Sequence, residues 1–129
     1  MITAYLVAIS GYYEGEDIEI RYRIYDDGEL VSKKSILKEY KKPAVVNLYA
    51  LITLLKELEI YMDKEIVIII NDAALIELIR GTSTSKNKDV LKTARIAREK
   101  LNEFKTSINI KDVSNDKVEL AKWNDILKP

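Results

Sequence analysis

Asp72 is the residue of this chain best placed for chemistry. It closes the apolar run Ile66-Val67-Ile68-Ile69-Ile70-Asn71, and a short helix opens behind it at Ala73. A carboxylate at the carboxyl end of a central strand suits a divalent metal ligand. The same position suits a helix N-cap that accepts a hydrogen bond from the amide of Ala74 or Leu75. Glu119 is a second acid, in the first turn of a closing helix, where the helix dipole favours negative charge in any case. Glu14, Glu16 and Asp17 lie past the end of the first strand. At roughly 3.3 Å per residue, Glu14 falls some 13 Å beyond Ser10 unless the turn folds back.

The cations form a pattern of their own. Lys88, Lys92, Arg95 and Arg98 follow one another at spacings of four, three and three, which sets them along one stripe of a helix. Lys86 joins them from the preceding loop. Such a stripe suits contact with a nucleic-acid backbone. It also suits plain solvation, and Asp89, Glu99 and Glu103 dilute it.

Much chemistry is excluded outright. The chain has no histidine and no cysteine, which removes thiolate sites, disulfides and every nucleophile system built on histidine. Lys and Arg number 21 against 21 Asp and Glu, so any basic surface must be local. Gly81 to Asn87 lacks the glycine and lysine spacing of a phosphate loop. No apolar run approaches membrane-spanning length and Ile2 to Ile9 lacks a basic lead, so a cytoplasmic, intracellular protein without membrane contact is expected. Glutamine is absent while isoleucine, lysine and glutamate abound, a bias typical of thermophile proteins.

The elements that must position these residues read clearly. At 129 residues the chain is expected to form one domain, residues 1–129. Thr3 to Ile9 is an almost unbroken apolar run, as for a strand covered on both faces. Ile18 to Tyr25 alternates, with Ile18, Ile20, Tyr22 and Ile24 inward and Glu19, Arg21 and Arg23 outward, a half-buried strand. Tyr12 to Asp17 is the turn before it. Asp26-Asp27-Gly28 is a hairpin signal leading into a third strand to about Leu37. Tyr12, Tyr13, Tyr22 and Tyr25 gather around this meander, where cross-strand packing is their expected use.

Lys41-Lys42-Pro43 ends the meander, and Pro43 suits a first helical turn. Val45, Leu48, Tyr49, Ile52, Leu55 and Leu58 then mark a helix from Ala44 to about Tyr61. Glu65 to Asn71 is the fourth strand, and Ala73 to Arg80 a helix stopped by Gly81. Lys88 to Phe104 is a third helix and Ser107 to Lys111 a fifth strand. The last helix runs through Leu127, with Trp123 as its anchor on the sheet.

This order, β-β-β-α-β-α-α-β-α, resembles the ribonuclease H family, particularly the compact archaeal and bacterial type I enzymes. The resemblance covers nearly the whole chain. Ile68 to Ile76 is similar to the family's fourth strand and its Asp-Ser-x-x-aliphatic helix start. Val45 to Leu51 looks like the first-helix segment, with Asn47 where a glutamate is usual. Asn115 to Ala121 looks like the closing segment, its aspartate corresponding to Glu119 or Val118. The resemblance implies an α/β fold with a five-stranded mixed sheet and helices on both faces. It also requires the first and fourth strands to be neighbours and Asp72 and Glu119 to lie close.

The family's chemistry uses carboxylates to hold two divalent ions about 4 Å apart. Here Val7 or Ser10 stands where the first-strand aspartate belongs, and Asn47 offers only a neutral oxygen. Asp72 and Glu119 remain as candidate catalytic residues, with Asp72 the candidate metal ligand. The expectation is a catalytically degenerate protein that needs no cofactor and binds nucleic acid or a nucleoprotein complex. An accessory or anti-defence role in an archaeal virus or plasmid would suit its size and composition. Two alternatives stay open. One is an active nuclease using Mg2+ or Mn2+ at a relocated site of Asp72, Glu119 and Glu14 or Glu16. The other is an oligomerisation module, for instance a homodimer built on the sheet edge.

Overall fold

The computed structural model describes residues 1–10, 13, 15–81, 85–106 and 108–129. Five strands form one mixed sheet in the order β3-β2-β1-β4-β5. The strands are β1 (Ile2–Ile9), β2 (Ile18–Asp26), β3 (Glu29–Lys38), β4 (Ile66–Ile70) and β5 (Ile108–Asp112). The helices are α1 (Pro43–Leu58), extended by a 3-10 turn over Glu59–Tyr61, α2 (Ala73–Arg80), α3 (Lys88–Asn102) and α4 (Lys117–Ile126). The element order and types are those expected from the sequence. Tyr12, Glu14, Thr82 and Ser107, each part of a turn, loop or strand assigned above, lie outside the described residues.

Local chemistry explains the boundaries. Asp27 (φ 49°) and Gly28 (φ 85°) both adopt left-handed backbone between the paired Asp26 and Glu29. That is the two-residue turn whose twist matches the flanking strands. Pro43 starts α1, where its missing N–H costs nothing. The Asn87 side chain accepts from the amides of Asp89 and Val90 to open α3. Gly81 in the left-handed region closes α2, its amide donating to the carbonyls of Glu77 and Leu78.

β1 and β4 run parallel in direct contact, Ile2 opposite Ile66 and Tyr5 opposite Ile69. They are the central strands, and alternation sends their side chains to two separate cores. Ala4, Leu6, Ile66, Ile68 and Ile70 face α1, α2 and α3 in the larger core. Tyr5, Ile69, Val113, Trp123 and Leu127 form a smaller core under α4. Helices therefore cover both faces of the sheet.

Two expectations about packing need correction. The apolar stripe assigned to α1 was too narrow, because Val46, Ala50, Leu51 and Leu54 are buried as well. α1 lies between the sheet and α3, so it is apolar nearly all round. The outer face of β2 is likewise not left to solvent. Arg23 is 2% exposed, the one buried charged side chain among the described residues. Its Nη1 donates to the carbonyls of Tyr22 (2.9 Å) and Lys34 (3.1 Å), and its Nη2 to that of Lys128 (3.1 Å). Arg21 Nη1 donates to the Leu127 carbonyl at 2.8 Å. Two guanidiniums thus satisfy the carbonyl end of α4, where cations are favoured. Burial first, then the neighbouring Arg21, lowers the Arg23 pKa from its ordinary value.

The tyrosines of the meander divide between the two faces. Tyr22 is in the larger core, and burial raises its hydroxyl pKa. Tyr25 meets Tyr5 edge to face at 5.8 Å on the other side. Tyr13 stands 74% exposed. At the outer edge β3 carries Lys33, Lys34 and Lys38, charges that discourage strand addition from another molecule.

A carboxylate cleft and a basic helix

The carboxyl ends of β1 and β4 open into a cleft of about 220 Å³. Its floor is Leu6, Val7 and Ala8 of β1 with Ile70 of β4. Asn47 and Ala50 of α1 form one wall, Asp72 and Leu75 another, and Trp123 of α4 closes a third. The Trp123 indole N–H donates to the Leu6 carbonyl at 3.2 Å, which fixes α4 against the floor. Trp123 is therefore the anchor the sequence suggested and part of the cleft as well.

Asp72 is engaged through both oxygens. Oδ1 accepts from the Leu75 amide at 3.2 Å, the N-cap bond of α2. Oδ2 accepts from the Asn47 side-chain amide at 2.5 Å. Losing both bonds in Asp72→Ala should cost about 1 to 2 kcal/mol, read as a lower urea midpoint. Asp72→Ser keeps a cap and should recover most of that loss.

Among the described residues, Asp72 is the one carboxylate that lines this cleft. Glu119 is not among the residues that line the cleft. It sits in the first turn of α4, its amide donating to the N-cap Asp116. Ser10 and Glu16 are exposed and do not line the cleft. Val7 does line it, but as an apolar residue packed against the smaller core under α4. Among the described residues no group of three or more His, Cys, Asp or Glu is placed to hold a metal ion. One carboxylate, hydrogen-bonded to an amide, does not fit a pair of divalent cations, whose mutual repulsion needs more negative charge.

One further acid escaped sequence reasoning. Asp112 ends β5 opposite Ile70 and is half-buried. Both its oxygens are used by Ser114, through the backbone amide at 3.1 Å and the hydroxyl at 2.6 Å. It acts as a turn residue.

The basic stripe divides in the structure. Lys88, Lys92 and Arg95 are exposed on α3, opposite the buried Val90, Ala94 and Ala97. Lys86 is exposed just before them. Arg98 turns inward instead, its Nη1 donating to the Leu78 carbonyl at 2.9 Å and tying α3 to the end of α2. Two cations that the sequence marked only as a stop signal take its place. Lys41 and Lys42 line a groove of about 430 Å³ with Tyr40, Asp89 and Lys92, between α3 and the start of α1. Lys41 Nζ lies 4.8 Å from the Tyr49 ring centroid. Only contact between segments some 50 residues apart could reveal this pairing.

The shape has close parallels among solved structures. RNase H1 from the halophilic archaeon Halobacterium salinarum NRC-1 superimposes with a TM-score of 0.81 at 18% identity, covering 98% of this chain and 92% of that one. LC11-RNase H1, isolated from compost by a metagenomic approach, gives 0.77 at 15% identity, with 98% and 94% covered. LC11-RNase H1 in complex with an RNA/DNA hybrid gives 0.76 at 16% identity, with 91% and 88% covered. These likenesses define the class: an α/β protein of ribonuclease H-like fold. At such identities the fold is what is shared. No family model matches the chain, and no curated protein matches its sequence. Among the described residues, no helix is long and apolar enough to cross a membrane.

Proposed function

We propose that this protein binds nucleic acid, or a nucleoprotein complex, through α3 and the adjoining groove, and does not cut it. The observation that carries this reading is the state of Asp72. In the cleft where a ribonuclease H-like fold would hold metal, the one carboxylate among the described residues caps α2 by accepting from the Leu75 amide and accepts a second hydrogen bond from Asn47. Lys86, Lys88, Lys92 and Arg95, with Lys41 and Lys42, supply the cationic surface that this reading needs. The RNA/DNA hybrid bound by LC11-RNase H1 supports a nucleic-acid ligand for this shape. The compact size and thermophile-like composition suit an accessory or anti-defence protein of an archaeal virus or plasmid. No cofactor is needed for such a role.

The test is cleavage and retention of labelled RNA–DNA hybrid, single-stranded RNA and duplex DNA, in Mg2+ and in Mn2+, beside Asp72→Asn. The expected result is no cleavage by either protein and equal retention at low salt. If cleavage appeared and Asp72→Asn abolished it, the protein would be a nuclease and this reading would fall.

A further inference from the structure

A second cleft, of about 350 Å³, lies along β5 between the ends of α2 and α3. Its floor is apolar, built from Ile79, Phe104 and Ile110 among others. Arg80, Asn102, Asn109 and Lys105 bring polar groups to it, and among the described residues no carboxylate lines it. Lys105 already pairs with Asp63 at 3.3 Å. Arg80 is exposed, and among the described residues no ion pair engages it.

We propose that this cleft binds a planar heteroaromatic anion about the size of one nucleotide. The volume falls within the range of small-ligand pockets, which begins near 300 Å³. The apolar floor suits a flat ring. The Asn102 carboxamide offers a donor and an acceptor, and β5 is an edge strand whose backbone at Asn109 lines the cleft, which together match the mixed edge of a heteroaromatic base. The Arg80 guanidinium supplies a fork suited to phosphate oxygens. An anion near the end of a helix would ordinarily be opposed by its free carbonyls. Here the Leu78 carbonyl is taken by Gly81 and Arg98, and that of Glu77 by Gly81, which blunts the opposition. The stripe residues Lys88, Lys92 and Arg95 do not line this cleft, so the proposal stands apart from the nucleic-acid reading.

The experiment is titration of 15N-labelled protein with AMP and with adenosine, followed by amide shifts. AMP should produce saturable shifts at Arg80, Asn109 and Ile110, with a dissociation constant below about 1 mM. Adenosine, lacking the phosphate, should bind at least about tenfold more weakly. Arg80→Gln, a surface change that leaves the core intact, should weaken AMP by about ten- to a hundredfold. Shifts confined to the Lys88–Arg95 face, no saturation by about 10 mM, or AMP binding unaltered by Arg80→Gln would each overturn the proposal.

Discussion

A protein carrying Val7→Asp together with Asn47→Glu should bind Mn2+ with a submillimolar dissociation constant, where the parent shows no saturable uptake. Both positions line the same cleft as Asp72, Val7 from the α4 side of the sheet and Asn47 from α1, so the two substitutions put three carboxylates around one cleft. Asn47→Glu also removes the amide that now holds Oδ2 of Asp72. Without metal, the three acids repel and the half-buried Asp at position 7 is desolvated, so the variant should melt below the parent. Metal at about a hundred times its dissociation constant should return about 2.7 kcal/mol, or roughly 10 °C in melting temperature. Thermal melts with and without Mn2+, beside calorimetric titration, read both effects. A variant that melts identically in both conditions would show that the cleft cannot be converted to a metal site.

The second large effect concerns the basic helix. Reversing Lys88, Lys92 and Arg95 to glutamate should weaken nucleic-acid retention by about a hundredfold or more at low salt. If these three cations each neutralise one phosphate of a duplex, the parent should lose affinity with a log–log salt slope of about −3. The triple variant should bind with a slope shallower by about 3, or not at all. All three side chains are exposed, so the fold should survive, which far-ultraviolet circular dichroism would verify. Arg98→Gln is the informative contrast. It should lower stability by about 1 to 3 kcal/mol through the lost bond to Leu78 while changing binding little. Unchanged retention in the triple variant would remove α3 from the interface.

What was legible in the sequence was what local rules govern. Asp72 reads as a cap because a strand end, an Asp and an Ala-rich helix start are contiguous. The hairpin at Asp27-Gly28 and the stop at Gly81 depend on backbone angles that few residues tolerate. Trp123 reads as an anchor because its neighbours in the helix are apolar. What stayed hidden depends on contacts between distant segments. The Asn47 amide meets Asp72 across 25 residues, and its consequence for the cleft follows only from the fold. Alternation placed Arg23 outward, but α4 ends above it and needs its carbonyls satisfied. Helical spacing put Arg98 in the stripe, yet the end of α2 lies close enough to claim it. Glu119 carried the resemblance to the closing segment, whereas the residue of α4 that reaches the cleft lies one turn on, at Trp123.

The position of Trp123 gives the molecule a built-in optical reporter. It is the only tryptophan, and its ring forms a wall of the cleft while its N–H is held by Leu6. Emission excited at the red edge therefore comes from one ring in one setting, free of competing indoles. An ion or small molecule entering the cleft would change the polarity and quenching around that ring. A strand lying along α3 alone would leave it undisturbed. The two surfaces can thus be told apart in a single cuvette, with no label attached.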